Sequence, residues 1–169
     1  MTHLTRLNEL SPAEAERELL TCCGSREWAR RVASCRPYAD AADLMENADG
    51  VWRALDEADW REAFRAHPRI GEKKADAGQT DREKAWSAGE QAGMGDAAAQ
   101  TQQALAEGNR RYEERFGYIY IVCATGKSAD EMLDLLTERL SNDPAAEILV
   151  AAEEQRKITR IRLEKLLAD

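Results

Sequence analysis

The sequence has few of the residues that anchor metal or disulfide chemistry. It carries two histidines, His3 and His67, and four cysteines, Cys22, Cys23, Cys35 and Cys123. Two of the cysteines are adjacent and none stands in a C-x-x-C pair, so no metal site is expected. Buried free thiols are the default reading of these residues, and they fit a reducing compartment. No stretch approaches the roughly 18 apolar residues of a spanning helix, so no membrane partner is expected. The N-terminus, Met1-Thr2-His3-Leu4-Thr5-Arg6, lacks the apolar run of a secretion signal. The last residues, Leu167-Ala168-Asp169, are not a peroxisomal address. These absences point to the cytoplasm. Excess positive charge is missing too, because the net charge is −8. Nucleic acid needs a basic surface, so it is not an expected partner. A small anion held by one buried arginine is compatible with that charge.

What is present is a helical pattern. Hydrophobic residues make up 43% of the 169 and charged residues 33%, a balance suited to helices with solvated outer faces. Ser11-Pro12-Ala13-Glu14 combines a capping Ser, Pro at the first helical position and Glu at the third, which predicts a helix to about Leu20 or Cys22. Ser25 caps the next helix, which carries Trp28 and Val32 and stops at Arg36-Pro37. Asp40 opens another, with Leu44, Ala48, Val51, Trp52 and Leu55 on its apolar side and a break expected at Asn47 to Gly50. Asp59 to Phe64 reads as a short helix ending before His67-Pro68. Residues 69–80 read as a loop, and helix resumes from about Asp81 through Trp86, Met94 and Leu105. Ser128-Ala129-Asp130-Glu131 is a second capping box, and Asn142-Asp143-Pro144 starts the last helix. The prediction is an all-α single domain over residues 1–169, a bundle of seven to nine helices.

One segment departs from that pattern. Gly117 to Thr125 is rich in β-branched and aromatic residues, which favours an extended chain near residues 117–125. A buried helix fits as well. No second strand is evident, so an extended segment there would need other partners for its main-chain groups, and a ligand could be one.

Three places can carry chemistry. His67 is the only histidine outside the N-terminal tail. Pro68 stiffens the chain beside it, and its imidazole can give or take a proton near neutral pH. A capping or solvated histidine is the plainer reading. Ser87, Glu90 and Gln91 share one helix face by their spacing, gathering a hydroxyl, a carboxylate and an amide. A solvated polar face is the alternative, against which stand Trp86 and Met94 bracketing the set. Gly89 and Gly93 each weaken that helix, which suggests close approach by another group. On the last helix, at about 100° per residue, Arg162 falls about 40° from Ile158 and inside the apolar arc, whereas Arg160 falls with Lys157 and Glu164 on the polar side. An inward guanidinium needs a carboxylate or comparable partner, either Glu90 or a substrate. The residues by themselves leave a hydrolase using Glu90 and His67, or a non-catalytic helical module, open.

In order along the chain, several motifs resemble the family of 2-oxo-4-hydroxy-4-carboxy-5-ureidoimidazoline (OHCU) decarboxylases. They are Leu7-Asn8, Cys22 to Ser25, Asp59 to Gly71, Ser87-Ala88-Gly89-Glu90-Gln91, Asn109 to Gly117, Cys123 to Ala129, and Glu154 to Leu163. No catalytic position departs from the pattern. The resemblance implies an all-α homodimer that needs no cofactor and converts OHCU to (S)-allantoin in urate catabolism. It implies His67 as the catalytic acid, working with Glu90. It further implies substrate binding by Ser87, Glu90, Gln91 and Arg162, with Pro68 and main-chain groups of about Ile121, Val122, Cys123, Ala124 and Thr125 lining the pocket.

Overall fold

A computed structural model describes residues 1–71, 81–92 and 98–168. Among the described residues every regular element is a helix: α1 (His3–Glu9), α2 (Pro12–Leu20), α3 (Arg26–Ser34), α4 (Ala41–Ala54), α5 (Glu57–Arg65), α6 (Asp81–Glu90), α7 (Ala99–Phe116), α8 (Ala129–Arg139) and α9 (Pro144–Ala168). The all-α expectation holds. None of these helices is long and apolar enough to cross a membrane.

The capping signals act where the sequence puts them. Ser11 accepts from the Glu14 N–H while Glu14 reaches back to the Ser11 N–H, and Pro12 stands at the first helical position. Ser25 accepts from the Trp28 N–H at 3.2 Å, Asp40 from the Asp43 N–H at 2.8 Å, and Ser128 from the Glu131 N–H at 3.1 Å. Each hydroxyl or carboxylate satisfies a donor that the first helical turn leaves unpaired.

Four expectations change. The N-terminal stretch read as a tail is α1, which begins at His3 under a Thr2 cap. Asn47 to Gly50 does not interrupt α4, because Ala48 is buried and its carbonyl accepts from the Trp28 indole at 3.1 Å. α5 starts earlier than Asp59, since Asp56 caps it. The helix from Asp81 ends at Glu90 and a separate one begins at Ala99. Met94, Gly93 and most of the 69–80 loop lie outside the described residues.

The chain divides into two compact units, Met1–Ala66 with Gln155–Asp169, and His67–Glu154. In the first, α2, α4 and α5 all meet α3, whose Trp28, Ala29, Val32 and Ala33 are buried. In the second, α7 lies against α8, and Tyr112 gathers Phe116, Tyr118 and Tyr120 around it at ring separations of 4.6 to 5.8 Å. Edge-on and tilted aromatic contacts of this kind add to what burial alone contributes. α9 is continuous through the division, which falls between Glu154 and Gln155.

Candidate active site

Gly117 closes α7 in the left-handed conformation (φ 83°), its N–H returning to the Glu113 carbonyl. That is the usual helix stop at a residue without a Cβ. From there to the turn at Thr125-Gly126 the chain is non-helical, as its composition favours, and it pairs with no strand among the described residues. It is nevertheless buried at Tyr120, Ile121, Val122, Cys123 and Ala124. Its main-chain groups therefore look elsewhere for partners.

Side chains supply several. Arg139 on α8 donates to the Ile121 carbonyl at 2.6 Å. The Cys123 N–H donates to Glu154 Oε1 on α9 at 3.2 Å, and Lys127 Nζ donates to the Cys123 carbonyl at 2.7 Å. The Lys127 N–H closes a turn on the Ala124 carbonyl. Arg139 is itself held by a buried cluster. Glu147, fully buried, takes its guanidinium at 2.6 Å, along with the Tyr112 hydroxyl and the Asn142 amide. A charge pair this deep persists only when its remaining donors and acceptors are satisfied, as here.

The other site residues of this unit come from two places. His67 and Pro68 are half-buried in the non-helical stretch after α5, and Ile70 beyond them is buried. Ser87 and Glu90 lie on α6, with Gln91 in the turn that ends it, all half-buried. The two places are joined directly. The Gly71 N–H donates to Gln91 Oε1 at 2.8 Å, so the stretch that carries His67 is tied to the end of α6. Asn109 of α7 adds a bond to the Ile70 carbonyl at 3.4 Å. Glu90 is also within electrostatic reach of the non-helical segment. Burial, its chief cause, raises the Cys123 thiol pKa, and the Glu154 and Glu90 carboxylates push the same way against Lys127. Within this unit the stretch that follows Pro68 is thus tied to Gln91, and Glu90 lies within electrostatic reach of Cys123; Pro68, Ser87, Ile121, Val122, Ala124 and Thr125 belong to the same unit. Thr125 alone of these is exposed.

The argument from Gly89 is corrected. A Cβ added there meets no described residue within 4 Å, so none of the described groups approaches it closely; the Trp86 side of α6 is the buried one.

Arg162 belongs to the other unit. It is 8% exposed, whereas the Arg160 side chain is 46% exposed and reaches Asp49 and Glu164. The helix-face count therefore separated the two arginines correctly. Around Arg162, Thr159 accepts from Gln155 at 3.0 Å. Thr159 and Arg162 both act on the buried Cys23 thiol, although burial dominates and pushes it up to about 11.

The sequence reading missed Arg139, Glu147 and Glu154. The count that picked out Arg162 finds Arg139 too, three residues after Leu136 and seven after Met132, both fully buried.

Comparison with known proteins bears on what this arrangement serves. The model of the OHCU decarboxylase family matches residues 8–164. The chain belongs to that family. It is 36% identical to the uric acid degradation bifunctional protein TTL of Arabidopsis thaliana, over 91% of this chain and 48% of that one. It spans 28% of the bifunctional protein PucL of Bacillus subtilis (strain 168). This member of the family therefore covers half or less of those two relatives. It is 34% identical to the OHCU decarboxylase of Amia calva, over 82% of this chain and 79% of that one. A crystal structure of OHCU decarboxylase in the presence of (S)-allantoin superposes with a TM-score of 0.74. It is 37% identical and covers 90% of this chain and 98% of that one.

Proposed function

We propose that this chain decarboxylates OHCU to (S)-allantoin with His67 as proton donor and Glu90 as the group that orients the substrate hydroxyl or the imidazole. The observation that carries the reading is the Gly71–Gln91 hydrogen bond, which ties the His67 stretch to the end of the helix bearing Ser87 and Glu90. A structure of a relative obtained with (S)-allantoin supports the choice of product.

The substrate carboxylate sits on a carbon that also bears a hydroxyl, in a ring with conjugated nitrogen and carbonyl groups. Loss of carbon dioxide leaves an electron pair that the ring delocalises. The substrate is its own electron sink, so the reaction asks of the protein orientation, charge stabilisation and one proton. Ser87 and Gln91 hold polar groups of the ring and ureido arm, Pro68 and main-chain groups of residues 121–125 line the pocket, and Arg162 provides a cation for the carboxylate. Delivery of the proton to one face fixes the S configuration. The family match from 8 to 164 supports treating residues 1–169 as one decarboxylase domain. We read the protein as a cytoplasmic homodimer; four free cysteines fit a reducing compartment, and sedimentation measures the oligomeric state.

The test uses OHCU freshly made from urate, with carbon dioxide release and the chirality of allantoin as readouts. His67→Gln should lower kcat by about a hundredfold or more, as loss of a general acid does, with the fold intact. Near-normal turnover by that variant would overturn the assignment. Water addition in place of carbon dioxide release would favour a hydrolase.

A further inference from the structure

We propose that Glu154 and Arg139 are positioning residues that set the main chain of the 121–124 segment for substrate. The inference rests on the reading that this main chain binds substrate, and it adds what holds it there.

Four bonds account for part of the segment's polar main chain. Arg139 takes the Ile121 carbonyl and Glu154 the Cys123 N–H, while Lys127 takes the Cys123 carbonyl through Nζ and the Ala124 carbonyl through its N–H. What is left over is informative. The Ile121, Val122 and Ala124 N–H groups donate to no described residue, and the Val122 carbonyl accepts from none. Yet Val122 is 4% exposed and Ala124 5%. Buried main-chain donors without a partner are rare, because each one forfeits its bond to water. A segment in regular structure would have spent these groups on a ladder or a helix. Here side chains consume alternate positions, and the remaining donors and acceptor are kept for a ligand with complementary acceptors and donors, as the carbonyl, ureido and carboxylate groups of OHCU provide.

Glu154 and Arg139 act from different elements, α9 and α8. The first fixes one peptide plane by its N–H, the second a neighbouring one by its carbonyl. Arg139 cannot swing away, because Glu147 and Tyr112 hold it. Together they define the orientation of the Val122 N–H, which shares a peptide plane with the Ile121 carbonyl, and of the Val122 carbonyl, which shares one with the Cys123 N–H. Removing either bond leaves the catalytic groups in place and lets the amides turn, so the cost falls on substrate binding and on the facial choice of protonation.

The experiment pairs side-chain variants with a main-chain one. Glu154→Gln keeps an acceptor oxygen and should hold KM and the enantiomeric excess of (S)-allantoin near those of the parent. Glu154→Leu removes it and should raise KM by about tenfold, the scale of one hydrogen bond, with a lower enantiomeric excess. A purely structural role would lower Tm in Glu154→Leu and leave both readouts unmoved, which overturns the proposal. If Glu154→Leu does not fold, Arg139→Lys decides: it should raise KM, and an unchanged KM overturns the proposal. Replacing Val122 by its α-hydroxy analogue turns its N–H into an ester oxygen. An unchanged KM there sinks the underlying reading of a main-chain subsite. A raised KM there, with Glu154→Leu like the parent, sinks the positioning roles alone.

Discussion

Arg162 and Arg160 stand two positions apart on α9, and their exposure separates them into different roles. Removing Arg162 takes away a buried cation, while removing Arg160 takes away an exposed partner of Asp49 and Glu164, and exposed pairs contribute little. Arg162→Ala should therefore raise KM by at least about tenfold, a charge-assisted bond being worth more than a neutral one. Arg160→Ala should stay near the parent enzyme, and steady-state kinetics giving the reverse order would contradict the assignment. Cys23 permits a second test at this scale. Burial, the main cause, pushes its thiol up to about 11 from an ordinary value of 9.0. A folded pKa above the unfolded one means that its contribution is whole below about pH 9 and is lost as pH rises through about 11. The size is on the order of 2–3 kcal/mol for two units. Urea midpoints measured from pH 8 to 11 should fall more steeply for the parent than for Cys23→Ala.

Among elements, the chain just before α3 approaches the end of α5 closely at Gly24. A Cβ there would lie 2.6 Å from the Cβ of Ala66, an atom that cannot rotate out of the way. Gly24→Ala should cost about 1–3 kcal/mol through overpacking, read as a lower urea midpoint, and Ala66→Gly in the same chain should recover most of it. Recovery would tie the glycine to close packing and not to its backbone freedom. Caps at Ser11, Ser25, Asp40 and Ser128 were legible in the sequence because a cap is a local interaction between residues three apart. The start of α5 was not, because Asp56 and Asp59 both suit a helix start and only the folded chain selects Asp56. The continuity of α4 through Gly50 was not legible either. Burial of Ala48 and its bond to Trp28 hold that turn against the intrinsic cost of glycine.

At the scale of the whole molecule, a net charge of −8 would face the proposed anionic substrate. The overall field repels that substrate, and any attraction is confined to nearby cations. Raising salt from about 10 mM to about 100 mM shortens the screening length from about 30 Å to about 10 Å. Over that range kcat/KM should rise slightly or hold, as long-range repulsion is screened. A fall of severalfold in stopped assays would mean that a positive surface steers the substrate in. Of the candidate site, His67, the Ser87–Glu90–Gln91 face and Arg162 were legible as residues, because spacing and chemistry are both written in the sequence. That Gln91 bonds Gly71 was not, since those residues lie 20 apart and no local rule links them.

Composition and period alone settled that the regular elements among the described residues are helices, where most of them begin, and which of two arginines turns inward, because these depend on neighbours within one turn. The character of residues 117–125 stayed open at that level, helix or extended chain. Tertiary structure decided it, through Arg139, Glu154 and Lys127. Their distant side chains satisfy enough of the buried main chain for a segment with neither helix nor ladder to persist.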